Sequence, residues 1–289
     1  MKKTVTLFMN PSSRSGRGRK NWPAYEGASW RRVVTESGDD MLRRVAEDDA
    51  RTAVAVGGDG TINLVINGAL RRSPPPRLGV LYSGTSPDFC RFHHLPTDRE
   101  AAVRTLREGT PQHFDVCRID EMKDNHSQPV FFASSCNIGF GPAVAARADR
   151  YRKFLGDFCG TLFALIMARI SSKRFTVDLE FENRERVSLD KTLHIAVLKN
   201  NFIASGIHIG LPAVPDDGYM HVLAVRNFSF ADMIRVYRGG MPRDAFVRRA
   251  KCVRVTTLPQ QQLEYDGDPS PLATPVCITC LQRAMEIIK

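Results

Sequence analysis

The chain has 289 residues, 43% of them hydrophobic and 25% charged, an ordinary globular balance with room for one large domain or two ordinary ones. No run of about 18 apolar residues occurs, which excludes a transmembrane helix; the longest candidate, 158–170, is shorter and contains Arg169. The net charge of +10 is compatible with nucleic acid, an anionic membrane surface or phosphorylated ligands, but no zinc-finger spacing or aromatic RNA-binding signature accompanies it.

In chain order, the opening Met1-Lys2-Lys3 runs into an apolar strand over 5–9. That stretch is too short for a secretory core and has no small-residue cleavage site, so a cytoplasmic protein is expected. The strand ends in Asn10-Pro11-Ser12-Ser13-Arg14-Ser15-Gly16, a turn-rich loop. A polar segment through Gly38-Asp39 leads into a predicted helix over 41–47. Residues 52–56 are nearly all apolar, as buried parallel strands are, and end in Gly57-Gly58-Asp59-Gly60-Thr61. Ile62, Val65, Ile66 and Ala69 follow at i, i+3, i+4 and i+7, one face of a helix. A third buried strand, 78–82, precedes Ser83-Gly84-Thr85, and 98–108 reads as an amphipathic helix stopped by Gly109. Repeated strand–loop–helix units predict an α/β domain with a mainly parallel sheet. Ligands of such sheets bind at the carboxyl ends of the strands, where all three loops fall.

From about Arg118 the pattern changes. Phe175, Val177, Leu179 and Phe181 alternate with polar residues, and further strands are predicted at 193–198, 220–225, 252–257 and 276–281. Helical signals lie at 143–152, 157–170 and 230–237. These predict a second, β-rich domain. Basic residues gather at 14–20, 147–153 and 243–251. Cys277 and Cys280 form a CxxC with no second ligand pair at zinc spacing, so they are read as structural strand cysteines. His93-His94 are read as packing in a surface or substrate loop, and His208 as structural.

The strongest chemical signal is Gly57-Gly58-Asp59-Gly60-Thr61. Glycines let the backbone approach phosphate oxygens, and the next helix offers free N–H groups. An aspartate there would repel a bare phosphate, but suits a magnesium ion or its water beside a nucleotide. The alternative is that Asp59 or Thr61 simply caps the helix. Neither this loop nor 10–16 is a Walker A sequence, and neither is a dinucleotide G-x-G-x-x-G.

Taken in order, Asn10–Gly16, Gly57-Gly58-Asp59-Gly60-Thr61-Ile62-Asn63, Ser83-Gly84-Thr85-Ser86-Pro87-Asp88-Phe89, Asn137-Ile138-Gly139-Phe140, Gly206-Ile207-His208-Ile209 through Pro215-Asp216-Asp217-Gly218-Tyr219, and Asp266-Gly267-Asp268 span nearly the whole chain. This set resembles the diacylglycerol kinase catalytic-domain family, which includes soluble bacterial lipid kinases and the sphingosine and ceramide kinases. The resemblance implies a Rossmann-like N-terminal α/β domain of the NAD-kinase and diacylglycerol-kinase type, and a C-terminal β-sandwich-like domain. The corresponding segments are 1–117 for ATP, 118–272 for the lipid, and 273–289 returning to the first domain.

The resemblance further implies an ATP- and magnesium-dependent transferase of phospholipid biosynthesis, acting on a lipid hydroxyl. Asn10, Ser12, Gly16, Thr35, Gly57, Gly58, Asp59, Gly60, Thr61 and Thr85 would surround ATP and its magnesium. Asp268 would be the general base, where the family has glutamate, with Asp266 a metal or network carboxylate. Asp88 is the candidate near the lipid hydroxyl. A second, structural magnesium ion would be bound by the Asp217 carboxylate and the carbonyls of Val214 and Tyr219. The family's Gly-Thr-Gly-Asn-Asp-Phe here reads Gly84-Thr85-Ser86-Pro87-Asp88-Phe89, where proline removes a backbone donor. Alternative readings are a kinase of a soluble metabolite such as NAD, and a catalytically weakened nucleotide- or lipid-binding module. The basic clusters suit transient contact with an anionic inner membrane face; no nucleic-acid partner is expected, and a homodimer is compatible.

Overall fold

The computed structural model describes residues 5–10, 30–122, 128–139, 173–203 and 206–289. The helical signals at 143–152 and 157–170 lie outside them, as do the basic clusters at 14–20 and 147–153.

Four parallel strands build the first lobe: β1 (Val5–Met9), β2 (Trp30–Val34), β3 (Thr52–Gly57) and β4 (Arg77–Tyr82). Their order is β2-β1-β3-β4, with Met9 opposite both Val34 and Val56, and Gly57 opposite Tyr82. Their carboxyl ends therefore lie along one edge. β3 is buried throughout, as its apolar run predicted. β2 was not predicted: its Trp-Arg-Arg-Val-Val sequence is that of an edge strand with exposed charge.

The helices are α1 (Gly38–Glu47), α2 (Asp59–Ala69), α3 (Asp88–Phe92) and α4 (Arg99–Glu108). Ser37 caps α1 by accepting from Asp40 N at 3.1 Å, and Asp98 caps α4 by accepting from Ala101 N at 3.0 Å. α2 begins at Gly58 with no side-chain cap, so neither Asp59 nor Thr61 is the capping residue that the alternative reading required.

The remaining strands are β5 (Pro111–Glu121), β6 (Val130–Phe132), β7 (Ser135–Gly139), β8 (Phe175–Phe181), β9 (Arg186–Thr192), β10 (His194–Leu198), β11 (Phe202–Ile203), β12 (Ile207–His208), β13 (Met220–Val225), β14 (Ala245–Ala250), β15 (Cys252–Leu258), β16 (Gln262–Tyr265), β17 (Asp268–Ala273) and β18 (Val276–Ile288); helix α5 spans Phe230–Tyr237. Six of them form an antiparallel sheet, β14-β13-β10-β7-β16-β17. Its inner face meets β8, β15 and β18 across one apolar core containing Cys136, Ile195, Val222, Phe175, Val255 and Ile278. This is the β-sandwich-like half.

The two halves share strands. β18 pairs in parallel with β4 and antiparallel with β5 and β15, so one sheet of ten strands crosses the molecule. Phe114 and Val116 of β5 belong to the core of the first lobe, and Cys117 and Ile119 to the sandwich core. β18 does the same: Val276, Ile278 and Cys280 face the sandwich, Met285 and Ile287 the first lobe. A register shift between Leu281 and Met285, with Arg283 at φ 52°, changes which parity points inward.

Candidate active site

The turn after β3 and the turn after β4 touch through their backbones. A Cβ on Gly84 would lie 2.7 Å from Gly58 Cα and 2.5 Å from the Tyr82 hydroxyl. A Cβ on Gly57 would collide with Thr61, whose buried hydroxyl packs beneath the turn. These glycines are required by close approach.

Asp266 and Gly267 form a two-residue hairpin between β16 and β17, with Tyr265 paired to Asp268 and positive φ at both turn residues (48° and 92°). That is the Asp-Gly signature of a type I′ hairpin. The hairpin brings Asp268 over α2: a Cβ on Gly60 would lie 3.1 Å from Asp268 Oδ2. Asp268 is exposed, so a substrate group can reach it.

Asp266 points inward. Its Oδ1 accepts from Ser134 N and Ser135 N, and its Oδ2 from Ala133 N and Asn63 Nδ2, all at 2.9 Å. Four donors fill the acceptor sites of a carboxylate. Of the two roles expected for it, Asp266 has the geometry of the network carboxylate and no free lone pair for a metal. Burial raises its pKa, against the pull of these donors. Glu264 underlies the turn, accepting from Gly267 N at 2.6 Å and Asn137 Nδ2 at 2.7 Å; burial pushes its carboxyl up to about 7.

Asp59 faces the backbone of Asp88 and Phe89, at the start of α3, whose amides draw its pKa down. The residue is half-buried, but its Oδ1 is fully enclosed and accepts no hydrogen bond. Burial, then the charges of Asp88 and Asp266, push its carboxyl up to about 8. An enclosed carboxylate with an orphaned oxygen among other carboxylates fits a divalent cation. Among the described residues no three His, Cys, Asp or Glu side chains are grouped to hold a metal by themselves. An ion at Asp59 would therefore complete its shell with water and phosphate oxygens, as magnesium beside a nucleotide does.

Asp88 is buried, accepting from Arg91 Nη1 and from Ser86 Oγ, each at 3.2 Å. Asn200 Nδ2 holds its carbonyl at 3.1 Å. A Cβ on Gly206 (φ 101°) would collide with the Arg91 guanidinium, so the β11–β12 hairpin lies on this pair. Pro87 is the N-cap of α3, where the helix makes no demand on its missing N–H, and its carbonyl accepts from Arg91 N at 2.9 Å. The proline substitution is thus absorbed.

Thr35 is buried, with its Oγ1 and its N both 3.1 Å from the Met9 carbonyl, and Asn10 is the residue that follows β1. Thr85 is exposed in the turn after β4. Ser12 and Gly16 lie outside the described residues. Two of the residues expected to hold the second magnesium ion have other partners in this structure. Asp217 Oδ1 and the Tyr219 carbonyl, two of its expected ligands, accept instead from Lys199 Nζ at 2.9 and 2.8 Å. Val214, the third, has an exposed side chain on the same turn. His93 is buried against Phe89, Phe92 and Phe114, and burial lowers its pKa to about 3, a packing residue. Cys277 and Cys280 are free thiols on β18.

Sequence reasoning missed Asn63, Asn67, Asn200, Glu264 and Lys199. Asn67 donates to the Phe131 carbonyl and accepts from Phe131 N, each at 2.8 Å, which ties α2 to β6. A signal existed for Asn63 and Asn67, polar residues on the otherwise apolar face of α2. Lys199 and Asn200 follow the predicted strand at 193–198 and carry no local signal of their own.

The family model of the diacylglycerol kinase catalytic domain matches residues 4–119. A diacylglycerol kinase of Staphylococcus carnosus (strain TM300) is 24% identical over 286 residues, covering 93% of this chain and 89% of that protein. One from Staphylococcus aureus (strain MRSA252) is also 24% identical, with 93% and 87% covered. Among solved structures, a putative diacylglycerol kinase from Bacillus anthracis str. Sterne superposes with a TM-score of 0.79 at 19% identity, covering 99% of this chain and 97% of that one. Yeast NADH kinase complexed with NADH reaches 0.50 at 11% identity, covering 99% and 83%. The resemblance read from the ordered loops is supported from three directions: residues 4–119 match the diacylglycerol kinase catalytic-domain model, nearly the whole chain is similar in sequence to diacylglycerol kinases, and its two-lobed fold is similar to that of the solved diacylglycerol kinase structures.

Proposed function

We propose that the protein transfers the γ-phosphoryl group of ATP to the hydroxyl of a lipid, diacylglycerol or a related lipid alcohol. The observation that carries this reading is the placement of Asp268 against Gly60, two positions 208 residues apart in sequence, at the carboxyl edge of the parallel sheet. A carboxylate beside a phosphate-type turn is the arrangement that phosphoryl transfer to an alcohol needs.

In this proposal the close-packed backbone of Gly57, Gly58, Gly60 and Gly84 forms the surface on which the phosphates sit. Asn10, Ser12, Gly16, Thr35, Thr61 and Thr85 surround the nucleotide within residues 1–117. Residues 118–272 receive the lipid, and 273–289 return to the first lobe. Asp59 would hold a magnesium ion, which when bound neutralises charge on the phosphates. The lipid oxygen forms a bond to the γ-phosphorus as the bond to the β-phosphate oxygen breaks, and ADP leaves. Asp268 Oδ2 takes the hydroxyl proton. Asp266 positions Asp268 through the turn they share, and Asp88 with Arg91 lines the acceptor side. α5 carries Phe230, Ile234 and Tyr237 exposed beside Arg235 and Arg238, a chemistry suited to an anionic bilayer.

The test is ATP carrying a labelled γ-phosphate, magnesium and fractionated lipids in anionic vesicles, with NAD as a parallel acceptor. The expected result is a labelled lipid, unlabelled NAD and a rate that falls with salt. Asp268→Asn should lose about 10²–10⁴-fold in rate, while Asp268→Glu retains activity. Lipid labelling undiminished in both Asp59→Ala and Asp268→Ala would sink the assignment.

A further inference from the structure

Lys199 lies just past the end of β10, remote in sequence from the glycine turns, with its side chain only 2% exposed. Its ammonium donates to Asp115 Oδ2 at 2.6 Å, Asp217 Oδ1 at 2.9 Å and the Tyr219 carbonyl at 2.8 Å. Three protons meet three oxygens, so the group is saturated. The acceptors are equally committed. Asp115 Oδ2 also accepts from Gly218 N at 2.7 Å, and its Oδ1 from Arg283 N at 2.8 Å. Asp217 Oδ1 also accepts from Tyr219 N at 3.0 Å, while its Oδ2 pairs with Arg249 Nη2 at 2.9 Å. The Arg249 guanidinium stacks on the Tyr219 ring, 3.7 Å from its centroid.

Charge and coordination point the same way. Asp115 and Asp217 face Lys199 and Arg249, so the formal charges cancel and none remains for a divalent ion. The Asp217 carboxylate and Tyr219 carbonyl are the oxygens that the family resemblance assigned to an ion, and Lys199 already donates to both. An ammonium is a compact point charge whose three donors can replace an ion's bonds to three oxygens. Burial pulls the Lys199 pKa down, but Asp115 and Asp217 more than offset this and hold it above the ordinary lysine value.

We propose that Lys199 is a tethered cation that takes, from within the chain, the place of a structural divalent ion, so that the junction of the two lobes is built without metal. The junction is where it matters: Asp115 lies on β5 between the two cores, and Arg283 is the residue at which β18 shifts register. One ammonium thereby joins β5, the end of β10 and the 215–219 turn, while Asp115 holds the irregular turn of β18. The inference does not depend on the phosphoryl-transfer reading.

The test is thermal unfolding of the full chain without nucleotide. The wild-type Tm should be unchanged by EDTA or by millimolar magnesium or manganese in any manner that depends on Asp217. Lys199→Ala should lower the Tm and open a pocket lined by Asp115, Asp217 and the Tyr219 carbonyl. Divalent cations should then recover most of the loss, and Lys199→Ala/Asp217→Asn should not be rescued. A folded Lys199→Ala indifferent to divalent cations overturns the proposal. So does a wild-type Tm that magnesium raises and Asp217→Asn makes insensitive. If Lys199→Ala does not fold, native mass spectrometry of manganese-equilibrated wild type and Asp217→Asn decides. Equal ion counts support the proposal; one ion fewer in Asp217→Asn overturns it.

Discussion

Asp59 keeps one carboxylate oxygen sealed from water with no donor, and its carboxyl is pushed up to about 8. An unfolded aspartate titrates near 3.9. A raised folded pKa means that stability is fully present below about pH 4 and is lost as pH rises through 8, because the unfolded chain gives up its proton first. Asp59→Asn removes that penalty. We expect the nucleotide-free variant to be more stable than wild type at pH 8 by about 2 kcal/mol, a Tm rise of roughly 5 °C. The difference should vanish near pH 4, and differential scanning calorimetry at the two pH values measures it. Glu264, pushed up to about 7 by the same burial, steepens the wild-type decline between those limits.

The need for glycine in the turn after β3 is local, which is why that turn could be read directly. The amides that face Asp59 come from α3, and the donors and acceptors around Asp266, Glu264 and Lys199 lie from 3 to 203 positions away. Contacts of that range leave no periodicity to detect.

Among the elements, α1, α4 and α5 were legible because caps and apolar spacing are written within each segment, and α2, which has no side-chain cap, by its apolar spacing alone. The hairpin at Asp266-Gly267 was legible as a turn, since Asp-Gly at positive φ is a local preference. What that turn faces was supplied only by family resemblance. β2 escaped notice because its exposed arginines mask the apolar alternation. The contact between the turns after β3 and β4 belongs to this scale. Gly84→Ala would place a methyl 2.7 Å from Gly58 Cα and 2.5 Å from the Tyr82 hydroxyl. Backbone must then move, since Gly58 has no side chain to yield. We expect a loss of about 1–3 kcal/mol in stability and a KM for nucleotide raised on the order of tenfold, about 1.4 kcal/mol of binding, with the lipid KM little changed. Steady-state kinetics with each substrate varied in turn checks this. Equal effects on both would mean that the turns do not form the nucleotide side alone.

At the scale of the molecule, the change of pattern near residue 118 announced a second, β-rich half. That the two halves share a sheet left no local signal, because it rests on pairing between strands such as β4 and β18; only the family resemblance implied that 273–289 return to the first domain. Arg77 Nε and Glu286 Oε2 meet there at 2.8 Å across 209 positions. β5 and β18 each contribute side chains to both cores. Neither core can lose these strands and stay filled, so heating should give one cooperative transition by calorimetry, with matching calorimetric and van't Hoff enthalpies. Two resolved transitions would show that the halves melt independently.

β18 also sets an order of events during synthesis. Until the ribosome has released it, β4 has no partner on one flank and β15 lacks its neighbour, so the nascent chain carries bare strand edges with apolar faces. Closure of the ten-stranded sheet thus waits on β18, and a translating chain stalled before Val276 is the species that a chaperone would find sticky.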